Sequence, residues 1–340
     1  MTGYFMTFLN WIHGWVGSYG WSIVVFTLII RLILLPLDIK QKKSMRAMTK
    51  IQPQIVALQA KYANDRDKMN QKISELYRKE HVSPMSGCLP LLIQMPILFI
   101  MFAAMRTVGN EQTVNMILGM KETGTLDPGA LQGWLWIKNV FMPDSFASTI
   151  VPPVGDTLRL IQPSASSAIL TKENIEAARA FLASDAYNAI AVNYAPASAF
   201  FSFKLNLLFI NSTVTLPNSF SNLMKYANGL FILPLMAGGS QFLMTSIMNG
   251  SEKKKDKQDG AIVEQKPEEN AAANTMNSPV MKWFFPIFSV WICATSNAAF
   301  SIYWMSANVI QIIQQLGVNA WFAHVDAKAA AAEALEKPDK

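Results

Sequence analysis

Residues 21–37 read WSIVVFTLIIRLILLPL, an apolar run interrupted by one charge, Arg31. About 20 such residues in helical form span a hydrocarbon core roughly 30 Å thick. Four further runs follow, at roughly Cys88 to Arg106, Tyr226 to Met248, Trp283 to Ala294 with its flanks, and Ala299 to Val318. The last two are short and meet at Thr295-Ser296-Asn297. A soluble protein has little use for several such segments. The expectation is an all-α integral membrane protein with transmembrane helices at 21–38, 85–106, 226–249, 281–297 and 298–320.

Composition narrows the function. Apolar residues make up 51% of the 340 and charged residues only 15%, well below the usual quarter. The two cysteines, Cys88 and Cys293, lie in or beside apolar runs and read as buried thiols. His13, His81 and His324 keep no ligand spacing. There is no Gly-rich phosphate loop and no nucleophile elbow. No catalytic residue, metal or cofactor is expected, and the protein reads as no enzyme. The net charge of +6 is modest for a nucleic-acid binder, so no direct nucleic-acid readout is expected.

Charge sets the orientation. Eleven Lys and Arg, from Lys40 to Lys79, lie between the first two runs, and six, from Lys253 to Lys282, between the third and fourth. The long segment from Thr107 to Lys225 is sparsely basic. The positive-inside rule then puts the N-terminus outside, both basic loops in the cytoplasm and the C-terminus inside. Residues 1–20 lack the basic start and cleavage site of a signal peptide. Their rings, Tyr4, Phe5, Phe8, Trp11 and Trp15, suit a helix lying at the outer headgroup level.

The connecting segments differ in kind. In residues 39–84, Met45, Met48, Ile51, Ile55, Leu58 and Tyr62 recur at helical spacing, as do Met69, Ile73, Leu76 and Tyr77. Asn64-Asp65 supplies a turn and an N-cap, so a cytoplasmic helical hairpin is expected, with Pro53 kinking or restarting its first arm. Residues 250–280 are polar and read as disordered. Residues 107–225 are too long for a bare loop and imply an extracytoplasmic subdomain. In it Thr171 should cap a helix from about Lys172 to Ser184, with Leu170 and Ile175 as a hydrophobic staple. Residues 321–340 form an Ala-rich cytoplasmic tail with helical character.

The polar residues inside the runs are the candidate site. A charge in a span costs at least about 2.5 kcal/mol and normally faces a wet cavity or a partner. Arg31 lies seven residues from Asp38, and it could equally snorkel or approach that carboxylate. Gln94, Gln241 and Gln311 lie six or seven residues from the inner ends of their own spans. At 1.5 Å per residue all four reach one level, roughly 9–11 Å from the cytoplasmic boundary. Ser301, Trp304, Asn308, Gln311 and Gln315 share one face of the last span, and Thr27 shares the Arg31 face. Nothing equivalent marks the outer half. These residues imply a hydrated, positively charged half-channel open to the cytoplasm.

At these residues the sequence resembles the YidC insertase family, the bacterial branch of the Oxa/Alb membrane-insertion proteins. The resemblance runs through Phe26 to Leu32 with Pro36-Leu37, Ile51-Gln52-Pro53, Leu76-Tyr77 and the specific run from Pro84 to Ile97. It returns at Phe285-Pro286 and at Tyr303 to Asn308 with Gln311 and Gln314-Gln315. It implies five helices around a groove that captures hydrophobic segments of nascent membrane proteins and releases them sideways into lipid without ATP. Arg31 matches the groove arginine, and Thr27, Tyr303 and Trp304 match substrate-contact positions. Nascent chains and lipids are the implied partners, with the Sec translocon, the signal recognition particle receptor and the ribosome as candidates. The hairpin matches the family's recruitment element. The large outer domain of Gram-negative relatives does not precede the core, which points to the Gram-positive type. The segments after Asp144 and after Gly250 are longer than the family pattern, and the tail is less basic than in ribosome-docking relatives. A channel or small-solute transporter, or an assembly scaffold, are the alternatives. The first wants inverted repeats and polar lining through the full thickness, and neither is present.

Overall fold

The computed structural model describes residues 2–82, 89–153, 158, 161–207, 210–256 and 279–336. Its described elements are mostly helical: α1 (Thr2–Val16), α2 (Tyr19–Lys61), α3 (Arg66–Lys79), α4 (Leu89–Thr123), α5 (Lys172–Leu182), α6 (Asp185–Ala191), α7 (Phe220–Tyr226), α8 (Ile232–Asp256), α9 (Pro279–Thr295) and α10 (Ala298–Glu336). Two antiparallel strands, β1 (Phe200–Leu207) and β2 (Ile210–Pro217), pair from Phe200 opposite Pro217 to Leu207 opposite Ile210. The all-α expectation is corrected by this ribbon. Among the described residues, α2 is the helix long and apolar enough to cross a membrane by length and composition. The apolar stretches Ile232–Ile247 and Trp283–Thr295 are shorter.

Several boundaries differ from the sequence expectation. The first span and the first hairpin arm are a single helix, and Pro53, like Pro36, lies inside it without a restart. Proline removes one backbone donor, but burial of Ile51 and Ile55 against the second arm carries the helix past it. The second helix continues to Thr123, not Arg106, because Val114, Ile117 and Met120 have an outer core to enter. The helix α8 starts at Ile232 and not at residue 226. It continues to Asp256, into the segment read as disordered, whose residues 257–278 lie outside the described residues. The tail is helical to Glu336, in unbroken continuation of the last span.

The chain divides into two compact units. One comprises residues 1–28, 100–246 and 264–309; the other comprises residues 29–99, 247–263 and 310–340. In the second unit the hairpin closes as the sequence indicates. Asp65 caps α3 by accepting from the Lys68 amide at 3.0 Å, and Ile51, Ile55 and Val82 form a small core with Ile73, Leu76 and Tyr77 around it.

The first unit has an outer core of its own. Val114, Ile117 and Met120 of α4 pack with Val151, Leu158, Leu170, Ile175, Ala178, Leu182 and Tyr187. Thr171 caps α5 through the Asn174 amide, and the staple pair Leu170 and Ile175 is buried. Arg179 fixes the preceding loop by donating to the carbonyls of Leu158 and Ile161 at 2.9 and 3.0 Å.

The same unit sets where α8 and α10 begin. The buried Asn228 carboxamide donates to the carbonyls of Asn139, Met142 and Pro143 at 2.9, 3.2 and 2.9 Å, and accepts from the Asn139 amide at 2.8 Å. Asp144, fully buried, accepts from the amides of Phe231 and Leu233 at 3.1 and 2.7 Å, which are among the orphan donors of α8. Only glycine fits at 229, where a Cβ would collide with the Asp144 carboxylate. Residues 140 and 142 accept from the Ala299 and Ala298 amides at the head of α10, and Asn297 caps that helix through Phe300. Gly238 lets α8 approach α9, since a Cβ there would strike Val290.

Replacing Asn228 by Ala strands one amide and takes a donor from three carbonyls. Leaving one buried polar group unpaired costs about 1–3 kcal/mol. Asn228→Ala should therefore lower the thermal midpoint in detergent clearly, and Gln241→Ala should barely move it. Equal midpoints for the two variants would refute the role given to this carboxamide.

Candidate functional site

The residues singled out from the sequence fall into both units, and most have definite local surroundings. In the first unit Thr27 is buried, and its hydroxyl donates to the Ile23 carbonyl at 2.6 Å, within its own helix. Ser301 is buried and donates to the Cys293 carbonyl at 3.1 Å, tying α10 to α9. Cys293 itself is a buried thiol. Tyr303 is buried, with its ring 6.2 Å from that of Phe300. Asn308 is buried and donates to Ser240 Oγ at 3.1 Å, while Ser240 donates to the Ala237 carbonyl at 2.9 Å.

Ser240 is the partner that the sequence reading passed over in favour of Gln241, which is half-buried. The signal was available. Leu233, Ala237 and Met244 are buried, and steps of four, three and four residues put Ser240 on their face.

The Trp304 ring lies 5.7 Å from that of Phe300, tilted by 47°, but among the described residues nothing accepts from its buried indole N–H. A buried donor left unpaired loses the full cost of its desolvation. This nitrogen is therefore a ready point of attachment for a visiting acceptor, whether water or a peptide carbonyl.

In the second unit Arg31 is 5% exposed, within the most apolar stretch of the chain. Asp38 lies two turns along α2. Gln314 donates to the Arg31 carbonyl at 3.0 Å, and its own buried Oε1 has no donor among the described residues. Gln314 was noted in the sequence only as part of a Gln-Gln pair. Gln311, half-buried, is three residues earlier on α10. The side chain of Gln94 lies outside the described residues. Val309, Ile313 and Leu316 form the exposed apolar side of α10, four and three residues apart.

The same unit holds a cationic cluster at the start of the hairpin. Arg46 pairs with Asp326 of α10 and stacks over the Phe322 ring, its guanidinium carbon 4.4 Å from the centroid. Lys42, one turn before Arg46, is half-buried. Its amine is pushed down to about 8, first by burial and then by the Arg46 charge. Between the hairpin arms a cavity of about 420 Å³ is lined by Ala57, Leu58 and Leu76 with Lys61, Lys79 and the Lys72–Glu75 ion pair, 2.7 Å apart, at its sides. Among the described residues no group of three His, Cys, Asp or Glu side chains could hold a metal.

An apolar helix with a buried arginine and serine, asparagine and glutamine side chains bonded between neighbouring apolar helices belong to a helical membrane protein. The chain belongs to the 60Kd inner membrane protein family, whose sequence model matches residues 11–325. It is similar to the Membrane protein insertase YidC of Fusobacterium nucleatum, with 48% identity over 104 residues, 30% of this chain and 51% of that protein. With the protein of the same name from Clostridium perfringens it shares 44% identity over 126 residues, 34% of this chain and 53% of that one. With that of Bordetella pertussis the values are 31% over 157 residues, 46% and 28%. The chain thus spans about half the length of the first two relatives and less of the third.

Two outcomes test this geometry. Asn308→Ala should cost about 1 kcal/mol, the usual worth of an interhelical hydrogen bond in a membrane protein. Trp304→Phe keeps the ring contact with Phe300 and removes an unpaired donor, so the melting midpoint should be nearly unchanged; a marked fall would mean that the indole is bonded within the chain.

Lys42 gives a second test. Because its folded value lies below the ordinary 10.5, the unfolded chain binds more protons between about 8 and 10.5. Stability should therefore rise with pH across that window. A carbon-13 methyl label on Lys42 should titrate near pH 8, and higher still in Arg46→Ala. A midpoint above ten in the unaltered protein would refute the assignment.

Proposed function

We propose that the chain is a membrane-protein insertase and chaperone, crossing the bilayer five times with its N-terminus outside and its C-terminus in the cytoplasm. The observation that carries this reading is Arg31, a guanidinium buried in the most apolar helix of the chain. Placing a charge there costs at least about 2.5 kcal/mol, an expense that a passive membrane anchor has no reason to meet.

On this reading Arg31, Thr27, Gln94, Gln241, Ser301, Tyr303, Trp304, Asn308 and Gln311 border a hydrated groove open to the cytoplasm, with Arg31, Gln94, Gln241 and Gln311 at the common depth given by the helical rise. The unmet indole of Trp304 and carbonyl of Gln314 support it, since each wants a partner that a passing polypeptide or water supplies. An acidic N-terminal segment of a nascent protein is drawn toward Arg31. Water in the groove shortens the hydrocarbon path that its polar residues must cross. The apolar part of the substrate then leaves along the first and last spans into lipid, without nucleotide hydrolysis. The Lys-lined hairpin is the receiving element for delivery partners, the signal recognition particle receptor, the ribosome or the Sec translocon. Similarity to proteins named membrane protein insertase is the further support.

The test is reconstitution of the full chain in liposomes with a single-span substrate whose translocated end is acidic, scored by protease protection. Wild-type protein should protect the substrate, Arg31→Ala should protect much less, and Arg31→Lys, which keeps a cation that water can reach, should retain most of the effect. Equal protection by all three proteins would refute the charge-based capture. Absence of protection with the wild type would refute the insertase reading itself.

A further inference from the structure

The ribbon β1–β2 has two chemically opposite faces. Directly paired residues of an antiparallel ladder share a face. One face carries Phe201, paired with Leu216, and Phe203. The other carries Phe200, paired with Pro217, Ser202, paired with Thr215, and Lys204, and Ser202 and Thr215 hydrogen-bond across it at 2.8 Å. The apolar face has no cover from its own unit where it is described: Phe201 and Phe203, stacked at 6.1 Å, are 49% and 42% exposed. A two-stranded ribbon with a bare apolar face is marginal in water. The two exposed rings call for a cover.

The position of the ribbon identifies that cover. Fourteen residues, 218–231, separate its end from the first residue of α8, and each step between them is fixed. Asn218 bonds back to the carbonyls of Ala199 and Ser198 at the ribbon's base, at 2.9 and 2.7 Å. The helix α7 packs on β2. Lys138 donates to the carbonyls of Met224, Lys225 and Ala227, each at 2.8 Å, and burial lowers its pKa from the ordinary value. Asn228 and Asp144 then hold the start of α8. The ribbon is therefore tethered tightly to the place where an apolar helix begins. Along this tether α7 presents Phe220 and Met224, one turn apart and both exposed.

Charge agrees with the position. From Ala186 to Ser251 there is no Asp or Glu, and the charged residues are Lys204 and Lys225 alone. A soluble partner surface would have little to read in so uncharged a face, whereas anionic lipid headgroups meet no carboxylate there and find the exposed Lys225 of α7 beside it. We propose that the apolar face of β1–β2, with Phe220 and Met224 of α7, docks on the outer-leaflet lipid interface at an anionic bilayer surface. Depth is limited by the backbone: a two-stranded ribbon has two open edges whose amides and carbonyls need water. The ribbon thus lies flat at headgroup level, with Phe201 and Phe203 turned to the acyl chains and Ser202 and Thr215 to water. This inference goes beyond insertase activity and rests on the topology of the proposed function, not on the insertion step.

The test uses the full chain with Cys88 and Cys293 replaced by Ala, reconstituted in phosphatidylcholine–phosphatidylglycerol vesicles. A nitrobenzoxadiazole label is attached at Phe203→Cys or, on the opposite face, at Ser202→Cys. Spin-labelled lipid should quench the label at 203 severalfold more strongly than that at 202, and aqueous iodide should show the reverse order. Phe220→Cys repeats the reading on α7 without altering the ribbon, and should behave as 203 does. Strong iodide quenching at 203 and 220 alike would overturn the proposal, because the face would stand in water. Protection of both labels from lipid and iodide together would overturn it in favour of a protein cover, a second copy or another chain.

Discussion

A helix that starts inside or beside a bilayer has amides that neither its own turns nor the surrounding lipid can satisfy, and the protein must bring acceptors to them. In this chain the short segment 138–144 does so for two helices at once. Asp144 takes two amides at the head of α8, and the carbonyls of Val140 and Met142 take two at the head of α10. Asn228 then holds the segment itself by three carbonyls and an amide. The carboxylate is fully buried, a placement that is tolerable because it lies at the positive end of a helix and is hydrogen-bonded. The outer subdomain packs on the same unit, so the subdomain and the helix starts are settled together.

Within the helices, polar side chains divide by what they already touch. Thr27 and Ser289 bond back to their own helices and Ser301 to the neighbouring one. Asn308 and Ser240 complete one another. These groups are spent on packing, and each is worth about 1 kcal/mol or less. Trp304 and Gln314 each keep one buried polar atom unmet among the described residues. The contrast matters because a polar stripe read from sequence treats all of its members alike. Hydrogen bonding separates those that build the helix bundle from those with capacity left for a ligand.

Much of this was legible in the sequence, for identifiable reasons. The hairpin and the Thr171 cap were readable because capping and helical spacing are local rules. The extent of α4, the late start of α8 and Ser240 were not. The first two depend on where distant residues such as Tyr187 and Asp144 come to lie, and the third on a one-residue difference of helical phase between serine and a more conspicuous glutamine. The ribbon was missed although its alternation of Phe201, Phe203 and Leu205 with polar neighbours is a strand pattern. Its apolar residues lay in a segment already assigned to a loop, and no aqueous core called for them.

The two buried cations of the second unit show why residue 31 is an arginine. Lys42, only half-buried, already has its amine pushed down to about 8 by burial and the Arg46 charge. Arg31 is more deeply enclosed, at 5% exposure. An ammonium in so dry a setting would keep its proton only while water reached it, because desolvation penalises the charged form. A guanidinium, with its delocalised charge and high intrinsic basicity, keeps the proton in either state. On the proposed function the surroundings of residue 31 change with every substrate, wet when the groove is empty and partly dry when an apolar segment fills it. Attraction of an acidic segment needs the charge while the groove is wet, which an ammonium also supplies; the guanidinium in addition holds its charge when an apolar successor fills the site. The chemistry of the guanidinium thus meets a requirement that hydropathy alone would count as a defect in the span.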